Sequence, residues 1–207
     1  MGRSGRREVI LAEAMRVFSA KGYAATSLGD VAAAAGITRS SMYDYFPSKK
    51  ALFLDVLKDQ TEAAVAYVGP KVTSAGTGEA RMRAAVAAYF DYALDHPAAW
   101  RLMFDRSREG DSEVQRLRWE ARSASTEVIR RLLSPDFAHM GIDADTTAGP
   151  VIVELMVSAL DGATRWWERH PETPVDDLVE AVLRMLLRGL RDTGELTPAT
   201  GGPAPVR

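Results

Sequence analysis

The sequence predicts an all-α protein with a small three-helix N-terminal head on a larger helical body. Apolar residues recur at helical spacing along most of the chain, as at Ile10, Ala14, Val17 and Phe18, and no stretch alternates as a half-buried strand does. Between Thr26 and Leu52, two short helical segments meet at Gly36 and a third helix begins. Farther on, Pro97, Pro135 and Pro171 punctuate segments that are otherwise helical.

Each element has its own signal. The first helix is expected from about Arg6 to Ala20, with Gly22 ending it and its apolar side bracing the next two helices. Ser27 followed by Asp30 has the spacing of a reciprocal N-terminal cap, so a short helix should run on through Val31 to Ala35. Gly36 then permits the left-handed turn that stops it, and the hydroxyl of Thr38 starts another helix led by Arg39, Ser40, Ser41 and Tyr43. After Pro47, Ser48 caps a longer helix whose Leu52, Val56, Leu57, Ala63, Ala64 and Tyr67 form an apolar stripe ending before Gly69 and Pro70. The Gly- and Thr-rich segment from Gly69 to Glu79 reads as the internal linker. Five helices are expected beyond it, over about 80–96, 98–107, 112–133, 146–170 and 175–193. A Gly-, Pro- and Thr-rich tail over 194–207 has the composition of a disordered segment. The domains assigned are 1–50 for the head and 51–193 for the body.

Short helix, glycine turn and capped second helix make a helix-turn-helix, which reads base edges and phosphates from the start of its second helix. The run Val31-Ala32, Ala35-Gly36-Ile37-Thr38, Met42-Tyr43, Tyr45-Phe46 and Ser48-Lys49, with Leu52 beyond, resembles the DNA-binding domain of the TetR family of bacterial transcriptional regulators. The resemblance covers about the first quarter of the chain. It implies phosphate contacts at Thr26, Ser27, Tyr43, Tyr45 and Lys49 and base reading from the helix that Thr38 opens, at Arg39, Ser40 and Ser41. Arginine can pair bidentately with guanine, which puts Arg39 first for direct readout. The sequence departs from the family at Lys50-Ala51, where acidic residues are common; Lys50 is a candidate for a further phosphate contact.

Charge is distributed to suit this reading. Residues 1–50 hold eight basic and four acidic groups, +4, within a whole-chain charge of −2, which leaves −6 for the remainder. A basic end and an acidic remainder fit a protein that meets phosphate through one end.

The body carries two further expectations. The segments around Ile152 to Trp167 and Leu178 to Leu190 each have more apolar surface than one packing partner requires, so Leu160, Trp167, Val182, Leu186 and Leu190 are candidates for a homodimer interface. A symmetric dimer in turn calls for a palindromic stretch of double-stranded DNA. Phe90, Trp100, Met103, Phe104, Trp119, Met156 and Trp166 could line a cavity for an apolar or aromatic small molecule, with Arg122 orienting a polar group. Asp161 and Arg165, four residues apart, could satisfy each other as an ion pair.

Other function classes find little support. The chain has no cysteine, which excludes disulfides, thiol catalysis and Cys-ligated metal and fits a reducing cytoplasm. No apolar run is long enough to span a membrane. His96, His139 and His170 are far apart, and no phosphate loop, paired zinc-binding histidines or serine elbow is present, so no catalytic residue, metal or cofactor is assigned. The expected protein is a cytoplasmic, ligand-responsive repressor. A DNA-binding regulator controlled by a protein partner is the second reading, and an all-helical enzyme the third.

Overall fold

The computed structural model describes residues 2–76, 78–104, 112–139 and 141–195. Among them are nine helices and no strand. The head is α1 (Arg3–Lys21), α2 (Leu28–Ala34) and α3 (Arg39–Tyr43); α4 (Lys49–Ser74) leads from it into the body. The body continues with α5 (Gly78–Asp95), α6 (Pro97–Phe104), α7 (Ser112–His139), α8 (Ala148–Trp167) and α9 (Val175–Glu195). Residues 196–207, which hold most of the expected tail, lie outside the described residues.

The local signals in the head act as their chemistry requires. Ser27 and Asp30 form both halves of the capping box, and the Thr38 and Ser48 hydroxyls accept from the Ser41 and Ala51 amides. Gly36 adopts φ 65°, the left-handed conformation that turns the chain between α2 and α3. The first helix begins three residues earlier than expected because Arg3 and Arg7 are held: Arg3 donates to the Asp44 carbonyl, and Arg7 pairs with Asp55 at 2.7 Å.

Two prolines behave differently from the expectation, and Pro97 marks a helix boundary as expected. Pro70 and Pro135 lie inside α4 and α7, so neither helix stops where the sequence suggested, and Pro97 opens α6. Proline's backbone angle suits a helix, and its cost is a lost amide donor and crowding of the preceding turn. Packing beyond each proline offsets that cost. Val72 is fully buried, as is Phe137, and the buried Asp136 carboxylate receives the Arg81 guanidinium at 3.0 Å. The segment around Gly69 therefore belongs to α4 and is no linker.

Two packed clusters build the interior. The first joins Phe18, Val31, Met42 and Phe46 of the head to Leu52, Phe53 and Leu57 of α4, and continues through Leu102 and Met103 of α6 to Leu117 of α7. The second gathers Met82 and Phe90 of α5, Phe137 of α7, Val153 and Leu160 of α8, and Leu183 and Leu190 of α9. Helices α4 and α7 run side by side in the same direction, tied by Lys50–Glu113, Lys58–Glu120 and the Arg81 side chain, which donates to both the Val72 and Leu132 carbonyls.

Candidate nucleic-acid interface and body cavity

The reading helix is short, and its sides are sharply divided. Met42 is fully buried against the head core, while Arg39 and Ser40 are exposed and Tyr43 keeps 49% of its surface. Among the described residues none forms an ion pair with Arg39, so its guanidinium is available to a ligand. The Thr38 hydroxyl sits 2.9 Å from both the Ser40 and Ser41 hydroxyls, a small hydroxyl cluster at the N-terminus of α3. Tyr45 is partly buried, and the Arg3 guanidinium stands 5.8 Å from its ring centre.

Other residues assigned to phosphate are engaged within the chain. Thr26 is buried, and its hydroxyl donates to the Gly22 carbonyl at 2.7 Å. Ser27 is exposed but closes the capping box. Its partner Asp30 also accepts from Lys21 at 2.7 Å, and these hydrogen bonds, that of Lys21 first and those of Ser27 next, hold the Asp30 carboxyl well below the usual carboxylate range. The stabilisation is therefore complete above the unfolded carboxylate pKa and is lost as pH falls toward the depressed value. Lys49 donates to the Tyr23 carbonyl at 3.0 Å and stands over the Tyr23 ring, and Lys50 pairs with Glu113 of α7 at 3.3 Å. Replacing Ser27 with alanine is expected to cost about 1 kcal/mol, seen as a lower denaturant midpoint with an unchanged slope.

A cavity of about 180 Å³ lies between the two packed clusters, walled by α4, α5, α6, α7 and α8. Of the side chains assigned to a ligand, Met103, Phe104, Trp119, Arg122 and Met156 line it. Phe90 is fully buried edge-on to Trp167, and Trp166 turns outward and stacks on His170. Trp100 is buried behind the wall and donates its indole N–H to the Tyr89 hydroxyl at 3.2 Å. The Tyr89 hydroxyl in turn donates to the Asp161 carboxylate. Arg122 binds the same carboxylate at 2.5 Å and also reaches Ser158 and Glu154, so Asp161 pairs across helices and not with Arg165. Burial raises the Tyr89 hydroxyl pKa well above its ordinary value, the Asp161 charge adding to it, and burial also raises the Asp161 carboxyl against the pull of Arg122.

The sequence reading missed one long wall of the cavity, the α4 face bearing Leu57, Thr61, Ala64, Val65, Val68 and Val72. Its signal was the apolar stripe itself, which continues past the point where the head needs it.

The dimer candidates also have definite places. Leu160, Val182, Leu186 and Leu190 are buried in this chain's own core, and Trp167 packs on Phe90 and donates to the Thr173 carbonyl. The apolar surface that α8 and α9 leave outside is instead Val151, Leu155 and Trp166 with Met185; Leu155 is 64% exposed and Met185 55%. On α8, Val151, Leu155, Ser158, Gly162 and Trp166 share one side, large residues flanking small ones. No helix among the described residues is long and apolar enough to cross a membrane.

Comparison with known proteins bears on both regions. Residues 10–56 match the family described as bacterial regulatory proteins, tetR family. The chain is 29% identical over 188 residues to the HTH-type transcriptional activator FasR of Mycolicibacterium smegmatis, covering 91% of this chain and 84% of that protein. It is 40% identical over 57 residues to the HTH-type transcriptional repressor KstR2 of Rhodococcus jostii, 28% of either chain. Among solved structures, the regulator FadR from Bacillus subtilis, in complex with stearoyl-CoA, superposes with a TM-score of 0.70 at 15% identity, over 88% of this chain and 98% of that one.

Proposed function

The chain is a DNA-binding transcriptional regulator of the TetR family, and from that premise we propose that it acts as a homodimeric repressor released by a small molecule held in the body cavity. The observation that carries this reading is the arrangement of α3: a helix anchored by Met42 that turns Arg39, Ser40 and Tyr43 to solvent at the basic end of the chain. Arg39 is assigned to a base edge, and Ser40, Ser41 and Tyr43 to neighbouring edges and phosphates. Lys49 and Tyr45 serve the phosphate backbone from the flank; Thr26 and Ser27 support it by shaping the start of α2.

The outer side of α8 and α9, centred on Leu155 and Met185, is the surface assigned to the partner subunit, and two-fold symmetry then sets two α3 helices on a palindromic operator. DNA reading is assigned to residues 1–50 and the effector and dimer functions to 51–193. Leu57, Met103 and Ala121 line the cavity and belong to the cluster that underlies α3, which gives an effector a packed route to the reading head. A cytoplasmic, non-enzymatic role accords with this assignment.

Electrophoretic mobility shift on the promoter of the regulator's own gene or of its neighbours tests the reading. Arg39→Ala should lower the preference for operator over random DNA by about 1–3 kcal/mol per half-site. Equal operator affinity in variant and wild type would remove Arg39 from the interface. An activator is the second reading, favoured by the name of the relative matched over most of its length. Reporter transcription from the bound promoter, falling or rising when the regulator is deleted, separates the two.

A further inference from the structure

The cavity is elongated and divided by polarity. Its α4 wall extends from Leu57 to Val72, and Trp119, 69% exposed, stands at the opposite end from Leu132 and Leu133 on α7. Arg122, Tyr89 and Asp161 form the polar level nearer Trp119. Below them the lining from α4, α5 and α7 is wholly apolar, with Val65, Val68, Val72, Ala85, Ile129 and Leu132. The floor follows one turn beyond Ala85. There Arg81 binds Asp136 through 3.0 and 3.1 Å contacts and bonds the Val72 and Leu132 carbonyls, stitching α4, α5 and α7 together.

We propose that this cavity selects an amphipathic ligand with a single unbranched hydrocarbon tail, and that Gly69 and the Arg81–Asp136 floor set the longest tail it admits. The inference rests on the reading of the cavity as the effector site. From Ala64 to Val72 the helix rises about 12 Å, the reach of about ten bonds of an extended chain. A continuous apolar lining of that depth matches a straight hydrocarbon tail. Gly69 faces the channel one turn above Val72, and a Cβ placed there would meet nothing within 4 Å, so the missing side chain is open space along the tail's path. The ion-paired floor is buried on three helices, and a longer tail would have to break it to go farther.

Thermal shift and titration calorimetry on the full chain, with straight-chain fatty acids and their coenzyme A thioesters from eight to eighteen carbons, test this. In the wild type, affinity should rise about fourfold per methylene, peak near ten to twelve carbons, and fall beyond. Gly69→Leu, which also favours the helix, should move the peak about three carbons shorter, and Leu132→Ala should move it longer. The head-group requirement shows in which of the two series binds. Identical peaks in wild type and both variants, or affinity still rising at eighteen carbons, would overturn the length selection and leave the effector site standing. If no member of either series binds while the protein still binds DNA, the straight-tail proposal is overturned and the effector-site reading stands apart from it.

Discussion

Leu155→Asp is expected to give a folded protein that sediments as a monomer and no longer shifts an operator fragment at concentrations where the wild type does. Leu155 lies on the outside of α8 in the single chain, so the new carboxylate is solvated until a partner arrives and folding is spared. In the dimer the same charge would be desolvated without a counterion, a penalty of several kcal/mol. Loss of the second reading head then removes half of the DNA contacts. Leu186→Asp is the informative contrast. At 8% exposure Leu186 belongs to the chain's own core, and a charge there should unfold the body, visible as lost helical circular dichroism and not as a clean monomer. A wild-type monomer at micromolar concentration that still binds a palindrome tightly would overturn the interface.

Asp161→Ala should destabilise the protein by about 3 kcal/mol, because it removes the acceptor of the buried Tyr89 hydroxyl and the most buried of the carboxylates that Arg122 binds, leaving Arg122 to Ser158 and Glu154. For a chain of this size that is roughly 6–12 °C in melting temperature. Asp161→Asn keeps the shape and an acceptor oxygen and should recover most of the loss. If alanine and asparagine melt alike, the hydrogen bonds to Asp161 contribute little and the network serves another purpose.

The parts of the fold legible in the sequence are those fixed by neighbours a few residues apart. Ser27 with Asp30, the left-handed Gly36, and the hydroxyls of Thr38 and Ser48 each act on a backbone group within three positions, so the head could be outlined from spacing alone. Pro70 and Pro135 misled because their local cost is met by distant packing, through Val72, Phe137 and the Arg81–Asp136 bridge between α5 and α7. The apolar breadth of α8 and α9 was visible, but not which edge turns inward. Leu160 and Leu155 look alike in sequence, and only the position of α5 and α9 decides that one is core and the other surface. Likewise, Tyr89, Arg122 and Asp161 come from three helices, and nothing local announces their meeting.

The cluster that runs from Phe18 and Met42 through Leu57 to Leu102, Met103 and Leu117 has a consequence for engineering. A reading head cut at residue 50 and grafted onto another regulator would leave behind Leu52, Phe53 and Leu57, three fully or almost fully buried side chains of its own interior, together with the α6 and α7 surfaces they meet. Such a transplant would inherit DNA preference from one parent and a mismatched seam from the other. A working chimaera has to carry the first two or three turns of α4 with the head and recut the facing sides of α6 and α7 to receive them, so operator and effector specificities are exchangeable only along that seam.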